Sequence, residues 1–341
     1  MAKNTPVKSE TPPAQAQLIQ MATAYWVSRI LYVAAEMNLA NQLSDAPRTA
    51  DELANATASH APSLYRLLRT LASLGLFTED ASHRFALTPL GRGLNTSTAR
   101  ASVLTLAGDL FTKSLDQLLY SVQTGKTGFE KAFGMPLFEW LAKHPAEASM
   151  FSETMVGIHG QEPAAVAGAY DFSELETIVD VGGATGNLLT AILSRHSGPR
   201  GILFDLPHVL ADAPALLKAR GLTDRVSIEA GNFFDGVPAA AGAYLLSHII
   251  HDWSEAECQS ILGNCRRAMK PNSRLLIIET VLASGDAPHP GKIRDIIMLT
   301  VPGGQERTEP EYRALLDKAG FRLARVVRTA SAVSVVEAFS A

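Results

Sequence analysis

The chain has 341 residues, 47% of them hydrophobic, and a formal net charge of -4. That length accommodates two domains, and the slightly acidic balance excludes a general affinity for nucleic acid or anionic membrane. No run of 18 apolar residues occurs, so no membrane-spanning helix is expected. The opening MAKNTPVKSETPPAQAQ lacks the apolar core of a secretory signal. Residues 1–13 are therefore expected to be a disordered tail, and the protein cytoplasmic.

From Ala14 to about Ala40, Leu18, Met21, Ala22, Tyr25, Trp26, Arg29, Ile30 and Val33 recur at spacings of three and four. The pattern predicts a helix whose aromatic-rich stripe serves a subunit interface or a core. Thr49 and Glu52 then stand at capping-box spacing, and Pro62 opens a second helix with Leu64, Leu67, Leu68, Leu71 and Leu74 on one face, stopped by Gly75. Leu76 to Thr78 and Arg84 to Leu87 flank a polar turn and predict a hairpin. Residues 14–105 thus read as a winged-helix-like module. Ser63, Tyr65, Arg66, Arg69 and Ser73 point away from the leucines. Two arginines fall far short of what phosphate neutralisation needs, so assembly is expected rather than DNA reading.

Residues 106–165 read as helical and rich in bulky apolar groups, a connector between two domains. Phe151, Met155 and His159 recur at four; they pack as core, wall a substrate pocket, or both, and Phe111, Met298 and Leu299 are further apolar wall candidates.

From 166 to 341 strands and helices alternate: TIVDVG, RGILFDLP, RVSIEAG, AYLLSHII and RLLIIETVL are strands, separated in part by the helices of NLLTAILSRH, VLADAPALLKARG and EAECQSILGNCRRAM. This predicts a parallel α/β sheet with right-handed crossovers. FRLARVVRT and AVSVVEAFS are joined by a short link and predict a closing antiparallel hairpin. A doubly wound sheet ending this way belongs to the Rossmann-like class I methyltransferase architecture. Cys258 and Cys265 lie seven apart on one predicted helix, roughly 10 Å, beyond disulfide reach, and no further Cys or His at ligand spacing suggests a metal site.

Ligands of such sheets bind beyond the carboxyl ends of the strands. The first strand ends in Asp180-Val181-Gly182-Gly183-Ala184-Thr185-Gly186, closer to DxGxxxG than to the dinucleotide pattern GxGxxG. The second ends at Asp205, placed to take ribose hydroxyls, and the third is followed by Asn232 and Phe233, an acceptor and an aromatic face for adenine. Each alone also reads as a turn glycine or a capping residue; in register they indicate a nucleoside-bearing cofactor.

VDVGGATG, FDLPHV, AGNFF, HDWSE, the glutamate of IIETVL, DIIMLTVPGGQERT and KAGF together resemble the O-methyltransferases that include plant caffeate and flavonoid enzymes and bacterial antibiotic-pathway relatives. The resemblance covers nearly the whole chain and implies an N-terminal dimerisation domain, a homodimer, S-adenosylmethionine as cofactor with S-adenosylhomocysteine as product, and no metal. It implies that His251 of HDW is the general base, flanked and oriented by Glu279 and Glu306, and that the acceptor is an aromatic or polyketide-like hydroxyl. A neutral imidazole suits the removal of a phenolic proton. The resemblance further places Asp180, Gly182, Gly183, Gly186, Asp205, Leu206, Asn232, Phe233, Ser247 and Trp253 around the cofactor. Ala184 and Asn232 depart from the family, where Gly and Asp are common. His248 donates to a substrate oxygen or is a satisfied structural histidine. Two other readings compete: a winged-helix regulator with a nucleotide-sensing domain, and a relative that keeps S-adenosylmethionine for hydroxylation or decarboxylation.

Overall fold

A computed structural model describes residues 12–341, so most of the expected tail lies outside the described residues. The chain forms two compact units. One comprises the chain through Thr112 together with Ala146–Gly157; the other comprises Lys113–Pro145 and Ile158–Ala341. The stretch 106–165, expected to act as one connector, is thus shared between them. Its helices before Pro145 are short, and Gly125 and Gly134, both left-handed, end Leu118–Thr124 and Gly128–Phe133. These breaks fall within the second unit, whereas the first unit takes the greater part of helix Pro145–His159.

In the first unit the helix expected from Ala14 to Ala40 is three helices, Ala14–Thr23, Tyr25–Glu36 and Leu39–Gln42. Asn38 breaks the run at φ 52°, a conformation its short polar side chain tolerates. The capping box forms: Thr49 N donates to Glu52 at 2.7 Å and Glu52 N donates to Thr49 Oγ1 at 3.2 Å, opening Ala50–Ala56. Helix Ala61–Ser73 buries Leu64, Leu68 and Leu71. Strands β1 (Arg48–Thr49), β2 (Phe77–Glu79) and β3 (Arg84–Leu87) pair antiparallel in the order β1-β3-β2, the wing of the module. Leu18, Met21, Tyr25 and Trp26 are 56–74% exposed, an apolar stripe left uncovered by this chain.

The second unit is built on β4 (Thr177–Val181), β5 (Arg200–Asp205), β6 (Val226–Ala230), β7 (Ala243–Ser247) and β8 (Arg274–Glu279), with short β9 (Val281–Leu282) and β10 (Arg307–Thr308), then β11 (Phe321–Arg328) and β12 (Ser334–Ser340). The main sheet runs β11-β12-β8-β7-β4-β5-β6. Its five central and edge strands from β8 to β6 pair parallel, and β12 pairs antiparallel with both β8 and β11. Successive side chains enter opposite cores: Ile178, Leu245, Leu276 and Val335 one, Val179, Leu246, Ile277 and Val336 the other. Burial on both faces explains the unbroken apolar runs in the sequence. Cys258 and Cys265 are free thiols in the second of these cores. No helix among the described residues is long and apolar enough to cross a membrane.

Candidate active site

Because β4 lies between β5 and β7, the chain progresses away from it in both directions, and the crevice of this switch point opens at the carboxyl ends of β4 and β7. The glycines after β4 shape it. A Cβ on Gly182 would stand 2.4 Å from Ile249 Cδ1, and one on Gly183 would stand 2.6 Å from the Asp180 carboxyl carbon. Asp205 grips the loop, accepting from Ala184 N at 2.9 Å and from Leu206 N at 2.7 Å. Burial raises the Asp205 pKa, and those two donors oppose the rise. Asp180 is buried, and neither of its oxygens has a hydrogen bond of ordinary geometry among the described residues. Burial, then the charge of Asp205, push its carboxyl up to about 7. A buried carboxyl short of donors beside a glycine cradle suits the hydroxyl and ammonium donors that S-adenosylmethionine carries. The residues present fit that cofactor.

Ala184 adopts φ 48° in this loop, a region that disfavours a Cβ. Replacing it with Gly removes the strain, partly offset by greater freedom of the unfolded chain. Ala184→Gly is expected to stabilise the cofactor-free protein by about 0.5–1 kcal/mol, read as a rise in thermal midpoint. A fall would show that the methyl makes a contact worth more than the strain.

After β6, the Asn232 side-chain oxygen accepts from Phe234 N at 3.0 Å. Phe233 and Phe234 meet Trp253 edge-on at 5.8 and 4.8 Å, while Phe138 stacks on Trp253 at 5.3 Å. Trp253 thus belongs to an aromatic group on the crevice side of β6 and β7. The part of Phe138, from helix Leu137–Lys143, had no signal in the sequence beyond being aromatic.

The run Tyr244 to Ile250, expected to be strand throughout, leaves the sheet after Ser247. His248 takes φ 53°, and Ile250–Asp252 form a single 3-10 turn. The turn places His251 in a buried position with Nδ1 3.3 Å from Glu306 Oε1 and Nε2 3.5 Å from Asp252 Oδ1. Glu279 does not meet the ring: it accepts from His251 backbone N at 3.0 Å and from Tyr312 Oη. Of the two glutamates expected to orient the base, Glu306 holds the imidazole and Glu279 holds the turn that carries it. Burial lowers the His251 pKa, the charge of Glu279 opposing. Burial raises both glutamates, with Arg294 drawing Glu306 back and the His251 charge drawing Glu279 back.

Glu306 reaches His251 because β10 pairs parallel with β9, Arg307 opposite Val281, setting the end of GGQER beside the end of β8. Gln305 N donates to His251 O at 2.8 Å, and Arg307 Nη1 donates to Ile250 O at 3.2 Å. A Cβ on Gly304 would fall 1.9 Å from His251 O, so the latch needs a glycine there. Asp295 Oδ1 accepts from Glu306 N at 2.8 Å, and Arg294 stands 3.7 Å from Glu306 Oε1. Neither Arg294, Asp295 nor Tyr312 is marked by spacing; each is found only once helices Pro290–Thr300 and Glu309–Lys318 pack.

His248 Nε2 lies 2.7 Å from Glu162 Oε2, and the same oxygen lies 2.9 Å from His159 Nδ1. Burial opposes the ionisation of Glu162, yet the hydrogen bonds from His159 and His248 bring its carboxyl down to about 2. Burial takes His248 down to about 4. These three offer ligand atoms within 4.8 Å of one another, the one group among the described residues with the makings of a metal site. Glu162 is a buried carboxylate at the first position of helix Glu162–Ala169, where an acidic residue is ordinary, so nothing in the sequence marks it. Of the expected substrate wall, Phe111, Phe151 and Met155 belong to the first unit, and His159, His248, Met298 and Leu299 to the second.

A family model for an O-methyltransferase domain matches residues 102–322, and one for an O-methyltransferase dimerisation domain matches residues 19–97. The phenazine O-methyltransferase PhzM of Lysobacter antibioticus is 44% identical over 328 residues, 96% of this chain and 96% of that protein. The solved structure of the mitomycin 7-O-methyltransferase MmcR is similar with a TM-score of 0.90 at 35% identity, covering 96% of this chain and 98% of that one. The O-methyltransferase NcsB1 from neocarzinostatin biosynthesis, solved with S-adenosylmethionine and 2-hydroxy-5-methyl naphthoic acid, is similar with a TM-score of 0.81 at 32% identity, covering 92% and 96%.

Proposed function

The chain belongs to the O-methyltransferase family and uses S-adenosylmethionine, and on that premise we propose that it methylates a phenolic hydroxyl of a small aromatic secondary metabolite in the cytoplasm, with His251 as general base. The observation that carries this reading is the buried pair of His251 Nδ1 and Glu306 Oε1, 3.3 Å apart, at the crevice end of β7. A carboxylate on Nδ1 keeps the proton on that nitrogen and leaves Nε2 as the accepting atom, with Asp252 Oδ1 3.5 Å from it. Nε2 then takes the hydroxyl proton as the oxygen becomes nucleophilic, and Glu306 stabilises the imidazolium that results. Glu279 and Gln305 hold the His251 backbone from two sides, which fixes the direction of the ring. Bound S-adenosylmethionine supplies an electrophilic methyl group. Asp205, Asp180, Asn232, Phe233 and Trp253, with Gly182, Gly183 and Gly186 in the loop, are the residues that hold it.

The experiment is a screen of phenols, hydroxynaphthoates and hydroxyphenazines with methyl-labelled S-adenosylmethionine. Label is expected on an aromatic oxygen, and turnover is expected to survive exhaustive chelation. Oxidised or decarboxylated products without label would favour the non-methylating reading. Loss of turnover on chelation, restored by zinc, would make His159, Glu162 and His248 a metal site.

We further propose a homodimer, supported by the dimerisation-domain match and by the exposed stripe of Leu18, Met21, Tyr25 and Trp26. Sedimentation is expected to give a dimer, and Trp26→Asp to shift it toward monomer, because a charge would be buried without a partner. A monomeric wild-type chain refutes it.

A further inference from the structure

The Nδ1 atom of His248 is buried and has no hydrogen-bond partner among the described residues. The opposite nitrogen is committed: Nε2 faces Glu162 Oε2 at 2.7 Å. An ionised carboxylate only accepts, so Nε2 carries the hydrogen, and in the neutral ring Nδ1 is left with a lone pair. Burial keeps the ring neutral, with a pKa of about 4. The ring cannot turn to exchange its nitrogens without breaking that hydrogen bond, and His159 braces it at 3.8 Å between ring centres. The backbone is also strained, at φ 53° on a residue with a β-carbon. A strained backbone that presents an unpaired acceptor costs stability twice, and native proteins keep such features where a ligand repays them.

The position identifies the ligand. His248 and His251 have ring centres 5.2 Å apart, tilted by 48°. The His248 side chain is 15% exposed and that of His251 8%, so although Nδ1 itself is covered, its ring lies no deeper than that of the proposed base. Resting on the proposed phenolic methylation, we propose that His248 Nδ1 is a substrate-binding acceptor atom, taking a hydrogen bond from a second O–H or N–H group on the aromatic acceptor, adjacent to the hydroxyl whose proton His251 removes. Substrates are then ortho- or peri-disposed dihydroxy or amino-hydroxy arenes. Glu162 and His159 are positioning residues that fix the tautomer and the tilt of His248. A substrate with an ether or carbonyl at the neighbouring position sets lone pair against lone pair and is rejected.

The test separates the two nitrogens. His248→Gln keeps an amide near the Nε2 position, able to donate to Glu162, and removes the acceptor atom at Nδ1. Binding of 2,3-dihydroxynaphthalene, 2-naphthol and 3-methoxy-2-naphthol is measured by calorimetry on the full-length protein saturated with S-adenosylhomocysteine. In the wild type the diol is expected to bind at least 10-fold more tightly than the other two, and in His248→Gln the three are expected to converge within about 3-fold. S-adenosylhomocysteine affinity and thermal midpoint report that the variant is folded. A wild type without preference for the diol, a preference that persists in the variant, or no binding of any of the three overturns the proposal. Zinc bound stoichiometrically with loss of diol binding also overturns it. Binding with the expected preference but no methyl transfer sinks only the phenolic reading of the reaction.

Discussion

His251→Ala is expected to lower kcat by about 100- to 10,000-fold, the contribution of a positioned general base, while S-adenosylmethionine affinity changes by less than about 3-fold. The separation follows from geometry. The ring meets Glu306 and lies near Asp252, whereas the loop expected to hold the cofactor is built on Asp180, Asp205 and the glycines after β4. The pH profile is a second signature. The base works only when neutral, and burial lowers its pKa below the ordinary 6.5. In the wild type kcat/KM should therefore hold as pH falls to 6.5 and decline only below it, as His251 gains its proton in the folded enzyme. In His251→Ala that acid limb should vanish. Turnover with the true acceptor that matches wild type would remove His251 from the base role.

Glu306→Gln carries the second large effect. Its amide either donates toward Nδ1, turning the tautomer so that the proton sits on Nε2, or leaves the imidazolium without its counter-charge. We expect kcat to fall by about 100-fold or more, the analogous carboxylate-to-amide change in a hydrolase triad costing about 10,000-fold. Glu279→Gln provides the contrast, because Glu279 touches the His251 backbone and Tyr312 rather than the ring. It should cost stability as well as rate, seen as a lowered thermal midpoint, since a buried amide cannot accept from both donors with two oxygens. If Glu306→Gln retains wild-type kcat, or if Glu279→Gln is the slower of the two with an unchanged midpoint, the division of labour between the glutamates is wrong.

The latch explains why HDW and GGQERT occur together in one chain. Gly304 lets backbone meet backbone at His251, and Gln305, Glu306 and Arg307 then contact respectively the His251 carbonyl, the His251 ring and the carbonyl of Ile250. Three consecutive side and main chains from one segment thereby set the position of a single imidazole. Rigidity of this kind is what holding a proton acceptor against a reacting oxygen requires.

Much of the architecture was legible because it is set by short-range pattern. The β-rich runs from Thr177 onward, the helices between them and the closing hairpin follow from hydrophobic period, and the capping box at Thr49 from a spacing of three. The glycine loop and Asp205 were legible for a related reason, since strand ends in such a sheet converge on one edge. Tertiary structure alone decided the rest. Whether Glu279 or Glu306 meets the imidazole turns on partners 28 and 55 residues from His251, and Glu162 joins His248 across 86 residues. A hydrogen bond selects on distance and direction within a few tenths of an ångström, and no periodicity in the sequence encodes that across so long a separation.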